Sequence, residues 1–395
     1  MGQNYQPAVD IIIAARNEER YLGFCLDALR EQDYPAELLK IYLVDNGSTD
    51  RTVRIAQEYG INVLIEPKRG AAAARNAGLA QSNAELVGFV DAHCIPDKSW
   101  VRLLAEQFHV IELGGCQGSI NNKSINARVQ RYLDDSGVLS NERIVEDTIS
   151  GKRNIYPWIL SGNCMYRRDA ITEAGLFNEE LEACEDVDLA WRVVLLGYQL
   201  SYVPQAKLTH YNCDEWLEFF RKGLYKGRGA ALLSSVYRPH GAREKFLPSQ
   251  ILSAKPEKFL SGLCYWAGYR QQEWRLRLNL DKPPSKQLPA HVLEKFRSPF
   301  QWTVDVTLRI SEDAVFWFRN EPHPSSVIVH VPTKMRVVLD SVADFIWRRI
   351  AQKTNRASLV EEITAYYGVA AVTAGSDLDD LVEELIDASI LITVG

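Results

Sequence analysis

Three features are scarce in this 395-residue chain, and each scarcity removes a class of protein. Long apolar runs are missing: no stretch approaches the roughly 18 uninterrupted apolar residues that span a bilayer. Cysteine pairs are missing too. The seven cysteines are scattered, odd in number and without a CxxC, which points to reduced thiols in a cytosol and not to a disulfide frame. The third absence is a surplus of positive charge. With 45 basic residues against 51 acidic, nucleic acid binding is not the main task. The start, MGQNYQPAVD, has no basic head before an apolar run, so no secretory signal is expected. Gln6 stands where a myristoylation signal carries a hydroxyl. A cytoplasmic protein with no transmembrane segment is the expectation, long enough for two domains.

What is present is a series of short, β-branched apolar runs. Residues 9–14 (VDIIIA), 41–44, 61–65 and 86–90 each read as a buried strand. After the first, Tyr21, Leu22, Cys25, Leu26 and Leu29 recur at helical spacing, and Ser48 or Thr49 is placed to cap a helix over 51–59. Strand and helix in alternation predict an α/β fold, a parallel sheet with helices on both faces. Such a sheet gathers its ligand loops at the carboxyl ends of its strands. Residues 16–18, Asp45 and residues 91–93 should therefore converge.

The run 86–90 releases Asp91 and His93 at i and i+2. A carboxylate with a neutral imidazole suits Mn²⁺ better than Mg²⁺, which prefers all-oxygen shells. Read alone, the pair equally fits a solvated strand-to-loop turn. Cys94 reads as a small buried hydrophobe and not as a ligand. Upstream, Gly70 opens an alanine-rich stretch with Arg69 and Arg75 on either side of its start. Glycine lets a backbone approach a ligand, and the guanidinium forks suit phosphate, although an Ala-rich helix with surface arginines fits the same letters.

In this order and spacing, VDIIIAARNEE, VDNGSTD, GAAAARNAG and FVDAH resemble the family-2 glycosyltransferases, which have the nucleotide-sugar-binding GT-A (Rossmann-like) fold. The resemblance covers about residues 1–235. It implies a nucleotide-sugar donor, a UDP-sugar first, with Ala15, Arg16, Glu18 and Asp45 at the nucleobase and ribose. Gly70 and Arg75 then fall near the diphosphate, and Asp91 and Ala92 in the metal motif. That motif is usually DxD. Here Asp91-Ala92-His93 is similar to the DxH of polypeptide N-acetylgalactosaminyltransferases, whose metal site also uses a distant histidine. His210, expected just past a strand over 199–203, matches that placement. The implied metal ligands are Asp91, His93 and His210, with Mn²⁺ as the ion and Mg²⁺ as its substitute.

Glu185-Asp186 resembles the family's acidic motif. Inverting sugar transfer displaces the leaving group directly, so the acceptor must lose a proton as it attacks. The resemblance makes Asp186 the base and Glu185 its support, and two adjacent acids repel so that one pKa rises. The same acids would suit a solvated first turn of a helix. Ser161, Gly162 and Asn163 are expected along the donor sugar. The basic, aromatic segment 215–245 is expected to be helical. Arg221, Lys222, Lys226 or Arg228 could then assist at the diphosphate, or the segment could lie on a membrane surface.

Prolines at 239, 248, 256, 283, 284, 289 and 299 mark 238–301 as a linker or irregular extension between domains 1–237 and 302–395. Beyond it, VTLRI, AVFWFRN, SVIVHV and MRVVLD predict short strands. Helices over 342–351, 359–367 and 378–389 follow, which makes a small α+β winged-helix domain. Its third helix, DLDDLVEELIDAS, has acids and no base, which opposes DNA binding. VVLD before SVADFIWRRI, then YYGV and ILITV, resemble PqqD-like peptide-recognition domains. That implies a ribosomally made precursor peptide whose leader docks as an added strand. Together the two resemblances imply sugar transfer to a Ser, Thr or Cys side chain of that peptide. The alternatives are a transferase for cell-surface polysaccharide or a lipid-linked acceptor, and a binding protein without turnover.

Overall fold

Runs that are apolar on both faces fold into the interior of one sheet. The computed structural model describes residues 6–136, 158–212, 215–237, 256–282, 284, 300–303, 306–311, 314–319, 325–330, 335–339, 341–351 and 354–394. They divide into two compact units: Met1–Val193 with Leu200–Gln287, and Val194–Gln199 with Leu288–Gly395. In the first, β1 (Val9–Ala15), β2 (Leu39–Asp45), β3 (Asn62–Ile65) and β4 (Leu86–Val90) pair in parallel in the order β3-β2-β1-β4. Helix α1 (Leu22–Arg30) buries Leu22, Cys25, Leu26 and Leu29, the residues whose spacing predicts it. Helix α2 (Thr52–Glu58) follows β2.

Helix α3 (Ala71–Gln81) is alanine-rich because it lies close on the sheet. A Cβ at Gly78 would come within 2.6 Å of Ile12. Arg75 is accordingly buried and not a surface arginine.

The sheet is mixed, not parallel throughout. Beyond β4 lies antiparallel β7 (Asn163–Arg167), then β6 (Leu113–Lys123), β8 (Gln199–Tyr211) and β5 (Cys94–Pro96), giving eight strands. Strand β6, LGGCQGSINNK, is hidden from sequence reading by its glycines, which are depleted in strands. They are there for space. A Cβ at Gly118 would lie 2.1 Å from the Ala206 carbonyl oxygen, and one at Gly115 2.7 Å from the Tyr166 ring.

The segment read as a linker carries a 22-residue helix, Pro256–Arg277, which belongs to the first unit. Proline is compatible with its first turn, where the missing N–H costs nothing. It packs on the helix Trp216–Tyr237, and neighbours climb both helices together. Gly223 lies beside Cys264, Gly227 beside Tyr265, and Arg228 donates to Gln271 at 2.8 Å, so the two run parallel.

In the second unit, β9 (Phe300–Gln301), β10 (Thr307–Ile310) and β14 (Leu391–Val394) form one antiparallel sheet. A second sheet holds β11 (Ala314–Arg319), β12 (Ser325–His330) and β13 (Met335–Val338). Residues 320–324 lie outside the described residues, and β11 and β12 pair with Arg319 opposite Ser325. Three helices follow: Ser341–Ala351, Arg356–Tyr367 and Ala371–Asp387. The second is capped at both ends. Asn355 accepts from Ser358 N at 3.0 Å, and Gly368 closes it at φ +67°. The third starts at Ala371, seven residues ahead of the expected start, with Asp379 paired to Arg356 at 2.6 Å. Trp302, Leu308, Trp347, Leu359, Leu378 and Leu391 are among the core of this unit.

Candidate active site

Three loops at the carboxyl ends of β1, β2 and β3 are tied together mainly by side chain to main chain bonds. Asn17, at φ +58°, donates its N–H to Ser48 Oγ (3.0 Å) and accepts Thr49 N–H at 2.8 Å. Glu18 N–H donates to Thr52 Oγ1 at 2.8 Å. Ser48 and Thr49 therefore join loops and do not cap α2. Asp50 accepts Thr52 N–H at 2.9 Å instead, because its carboxylate is the acceptor nearest the first turn. Asp45, buried, turns back onto Gly47 N–H and Ser48 N–H, both at 3.1 Å. Asn46 was not singled out from sequence, yet it ties its own loop to the loop after β3. Its amide donates to the Glu66 and Lys68 carbonyls (2.9 and 2.7 Å) and accepts Gly70 N–H at 2.9 Å. Gly70 adopts φ +127°, a conformation that favours glycine. Ala15 is buried at the end of β1, and Arg16 is exposed beside it.

An acidic centre lies behind these loops. Buried Arg75 reaches Glu185 Oε1 at 2.6 Å and Asp91 Oδ1 at 3.4 Å, with Phe177 under its guanidinium. Burial works against its charge, but Glu185, Asp91 and Asp186 outweigh that and hold it charged. Arg75, expected at the diphosphate, thus spends its fork on two carboxylates and joins the β4 terminus to the helix Glu185–Leu195. That helix is anchored by Asp188, buried against Arg192 (2.6 Å) and the Tyr237 hydroxyl (2.7 Å). Glu185 and Asp186 in its first turn are left to face the centre. Burial, then repulsion from Glu185, pushes the Asp186 carboxyl up to about 6, against the pull of Arg75.

Asp91 ends β4 against Gly162. A Cβ there would lie 2.4 Å from Asp91 Oδ2, so only glycine leaves the carboxylate in place. Ser161 N–H points to Asp186 Oδ2 at 3.4 Å. Asn163 is wholly buried, accepting Trp100 Nε1–H at 2.7 Å and donating to the Ser119 carbonyl at 3.1 Å. Its amide holds the sheet together and does not face a sugar. Ala92, also buried, carries the chain on to His93.

His93 and His210 face each other, Nε2 to Nε2, at 3.2 Å. Two ring nitrogens this close need either a shared proton or a shared cation. Glu18 accepts from His93 Nδ1 at 3.2 Å, the carboxylate–imidazole support that metal-binding histidines commonly have. Burial opposes the His93 cation, but Glu18 and Asp91 outweigh it and raise the ring above the ordinary imidazole value. His210 goes the other way. Burial and the neighbouring His93 lower it to about 3, so it is neutral with a lone pair to give. Its buried Nδ1 has no partner among the described residues.

His210 sits inside β8, opposite Cys94, and not just beyond a strand; β8 runs eight residues past 203 because β5 pairs with its far end. Asp91, Cys94 and His210 each offer a ligand atom within 4.8 Å of the others, and His93 joins them through His210. Burial holds the Cys94 thiol well above its ordinary value, so it stands as a thiol beside the oxygen and nitrogen donors. Among the described residues this donor set fits a divalent ion. Lys222 is near enough to both histidines, and Lys226 to His210, to disfavour their cations. Lys222 and Lys226 thus bring positive charge to this cluster.

The carboxylate–histidine cluster lies at this sheet edge, with Arg75 joining Asp91 to Glu185. Residues 10–175 match the family described as Glycosyl transferase family 2, and residues 325–391 match Coenzyme PQQ synthesis protein D (PqqD). The chain thus carries a family-2 glycosyltransferase domain followed by a PqqD domain. It is 28% identical over 231 residues to Glycosyltransferase AglE of Haloferax volcanii, covering 56% of this chain and 73% of that one. Over 237 residues it is 27% identical to the Pre-mycofactocin glycosyltransferase of Mycobacterium tuberculosis, covering 57% of this chain and 47% of the relative. The match thus spans about half the length of that relative. Among solved structures, the mannosyltransferase PcManGT from Pyrobaculum calidifontis, in complex with GDP-Man and Mn²⁺, aligns at a TM-score of 0.46 and 18% identity. That alignment covers 73% of this chain and 79% of the other. None of the described helices is long and apolar enough to cross a membrane.

Proposed function

We propose that the chain is a metal-dependent, inverting glycosyltransferase of the cytoplasm. It moves a sugar from a nucleotide-sugar, a UDP-sugar first, to a Ser, Thr or Cys side chain of a ribosomally made precursor peptide. The observation that carries this reading is the union, in one chain, of a family-2 domain with a PqqD domain. The name of its Pre-mycofactocin relative supports it. The leader docks on residues 302–395, which raises the concentration of the acceptor near the donor without tight contacts to the acceptor itself.

The chemistry follows from the centre. Asp186 takes the proton from the acceptor hydroxyl or thiol as that atom bonds to the anomeric carbon. The bond from that carbon to the leaving phosphate breaks, and its electron pair departs with the nucleoside diphosphate. Burial, and then Glu185 pinned by Arg75, keep the Asp186 pKa high enough for a base. Asp91, His93 and His210 would hold a divalent ion, Mn²⁺ or Mg²⁺, whose chemistry is to stabilise charge on the departing diphosphate. Lys222 and Lys226 add to that stabilisation. Ala15, Arg16, Glu18 and Asp45 line the nucleoside end, with Gly70 toward the diphosphate and Ser161 and Gly162 toward the sugar.

The test is transfer to a precursor peptide with its leader, compared with the core peptide alone, read as a mass gain of one sugar. Transfer at least ~10-fold faster with the leader is expected. Equal rates, or transfer only to a lipid-linked or polysaccharide acceptor, would overturn the peptide reading.

A further inference from the structure

The helices Trp216–Tyr237 and Pro256–Arg277 touch through glycine. A Cβ at Gly227 would lie 2.0 Å from the Tyr265 carbonyl oxygen, and one at Gly268 2.2 Å from that of Leu224. One side of Pro256–Arg277 is committed to this contact. Its opposite side, at 3.6 residues per turn, carries Phe259, Leu263, Trp266, Arg270, Trp274 and Arg277 in a single stripe. The four apolar members of the stripe are 37% to 63% exposed, and Leu278 and Leu280 continue it at 49% and 59%. A contiguous row of large apolar side chains in water marks an interaction surface.

Charge identifies the partner. The helix Pro256–Arg277 holds four basic and two acidic residues, in a chain whose acids outnumber its bases 51 to 45. Within the stripe, Arg270 and Arg277 flank Trp274 and share one counter-ion, Glu273. We infer that this face docks on an anionic membrane surface, lying in the interface without crossing it. Indole and aliphatic groups enter the headgroup boundary while the arginines meet lipid phosphates. A second copy would bring the same positive face against itself, which favours lipid over self-association. No described helix is long and apolar enough to cross a membrane.

Co-sedimentation of the full chain with vesicles tests this, using phosphatidylcholine alone or mixed with phosphatidylglycerol. Binding to the phosphatidylglycerol vesicles is expected, at least tenfold stronger than to phosphatidylcholine and weakened by added salt. Both Trp266→Ser/Trp274→Ser and Arg270→Gln/Arg277→Gln should weaken it at least tenfold, with thermal unfolding and donor hydrolysis as in the parent. No pelleting with either vesicle, or equal pelleting of parent and variants, would overturn the inference. So would a dimer by light scattering that the tryptophan variant converts to monomer, since the stripe would then belong to a second copy.

Discussion

With Asp186 as the proposed base, its carboxyl would set the pH response of the centre. Its carboxyl, raised to about 6 by burial and by Glu185, must be ionised to accept a proton. Turnover should therefore rise with pH through about 6 and level off above it, while His210, near 3, stays neutral across that range. Asp186→Asn should lower kcat by ~10²–10⁴ and leave donor affinity unchanged, measured by pre-steady-state transfer and calorimetry. A falling acid limb that persists in the variant would assign the titration elsewhere. Gly162 is the second telling residue. Gly162→Ala places a methyl 2.4 Å from Asp91 Oδ2, so Mn²⁺ affinity should fall at least ~10-fold with little change in melting temperature. Unchanged metal affinity would show that Asp91 has room to move. Asp91, His93, Asp186 and His210 were singled out from sequence because they carry chemistry in recognisable letters, and the structure brings Asp91, His93 and His210 into one cluster. Gly162 was expected along the donor sugar, and its place against Asp91 was not readable, because it acts through the side chain it lacks. Asn46 was not singled out, since it acts through main-chain partners in the loop after β3.

At the scale of elements, β1 to β4 were legible since each is a β-branched run buried on both faces. Strand β6 and the helix Pro256–Arg277 were not, for one shared reason. Each meets its neighbour backbone to backbone, so the contact selects glycine, and glycine erases the propensity signal. Prolines at 248 and 256 then weighed toward a linker, although Pro256 opens the helix. The helix pair depends on that closeness. Gly227→Ala should destabilise the chain by about 1–3 kcal/mol through overpacking against the Tyr265 carbonyl. Denaturant unfolding checks this, and an unchanged midpoint would mean that the helices part without cost. The sheet's mixed character was equally unreadable, because nothing in a strand's own letters states the direction of its neighbour.

For the whole molecule, the C-terminal domain is a module with its own two sheets and its own core, built around Trp302 and Trp347. Its strands and helices were legible from hydrophobic spacing. The early start of the last helix was not, since VTAGSD is a poor helix former and Gly375 lies against Arg356, which pairs with Asp379. If this module holds the leader, excess free leader peptide should inhibit transfer to the full precursor and leave donor hydrolysis untouched. Kinetic competition measures this, and inhibition of both reactions would place the leader at the donor site instead.

The transferase centre itself is tested most directly by release of nucleoside diphosphate from UDP-, GDP- and dTDP-sugars with Mn²⁺, for the parent chain and Asp91→Ala. Slow, metal-dependent release from one donor, lost in the variant, is the expected result and names the donor. Release that ignores the metal or survives loss of Asp91 would contradict the site, and no release or binding with any donor would contradict turnover altogether.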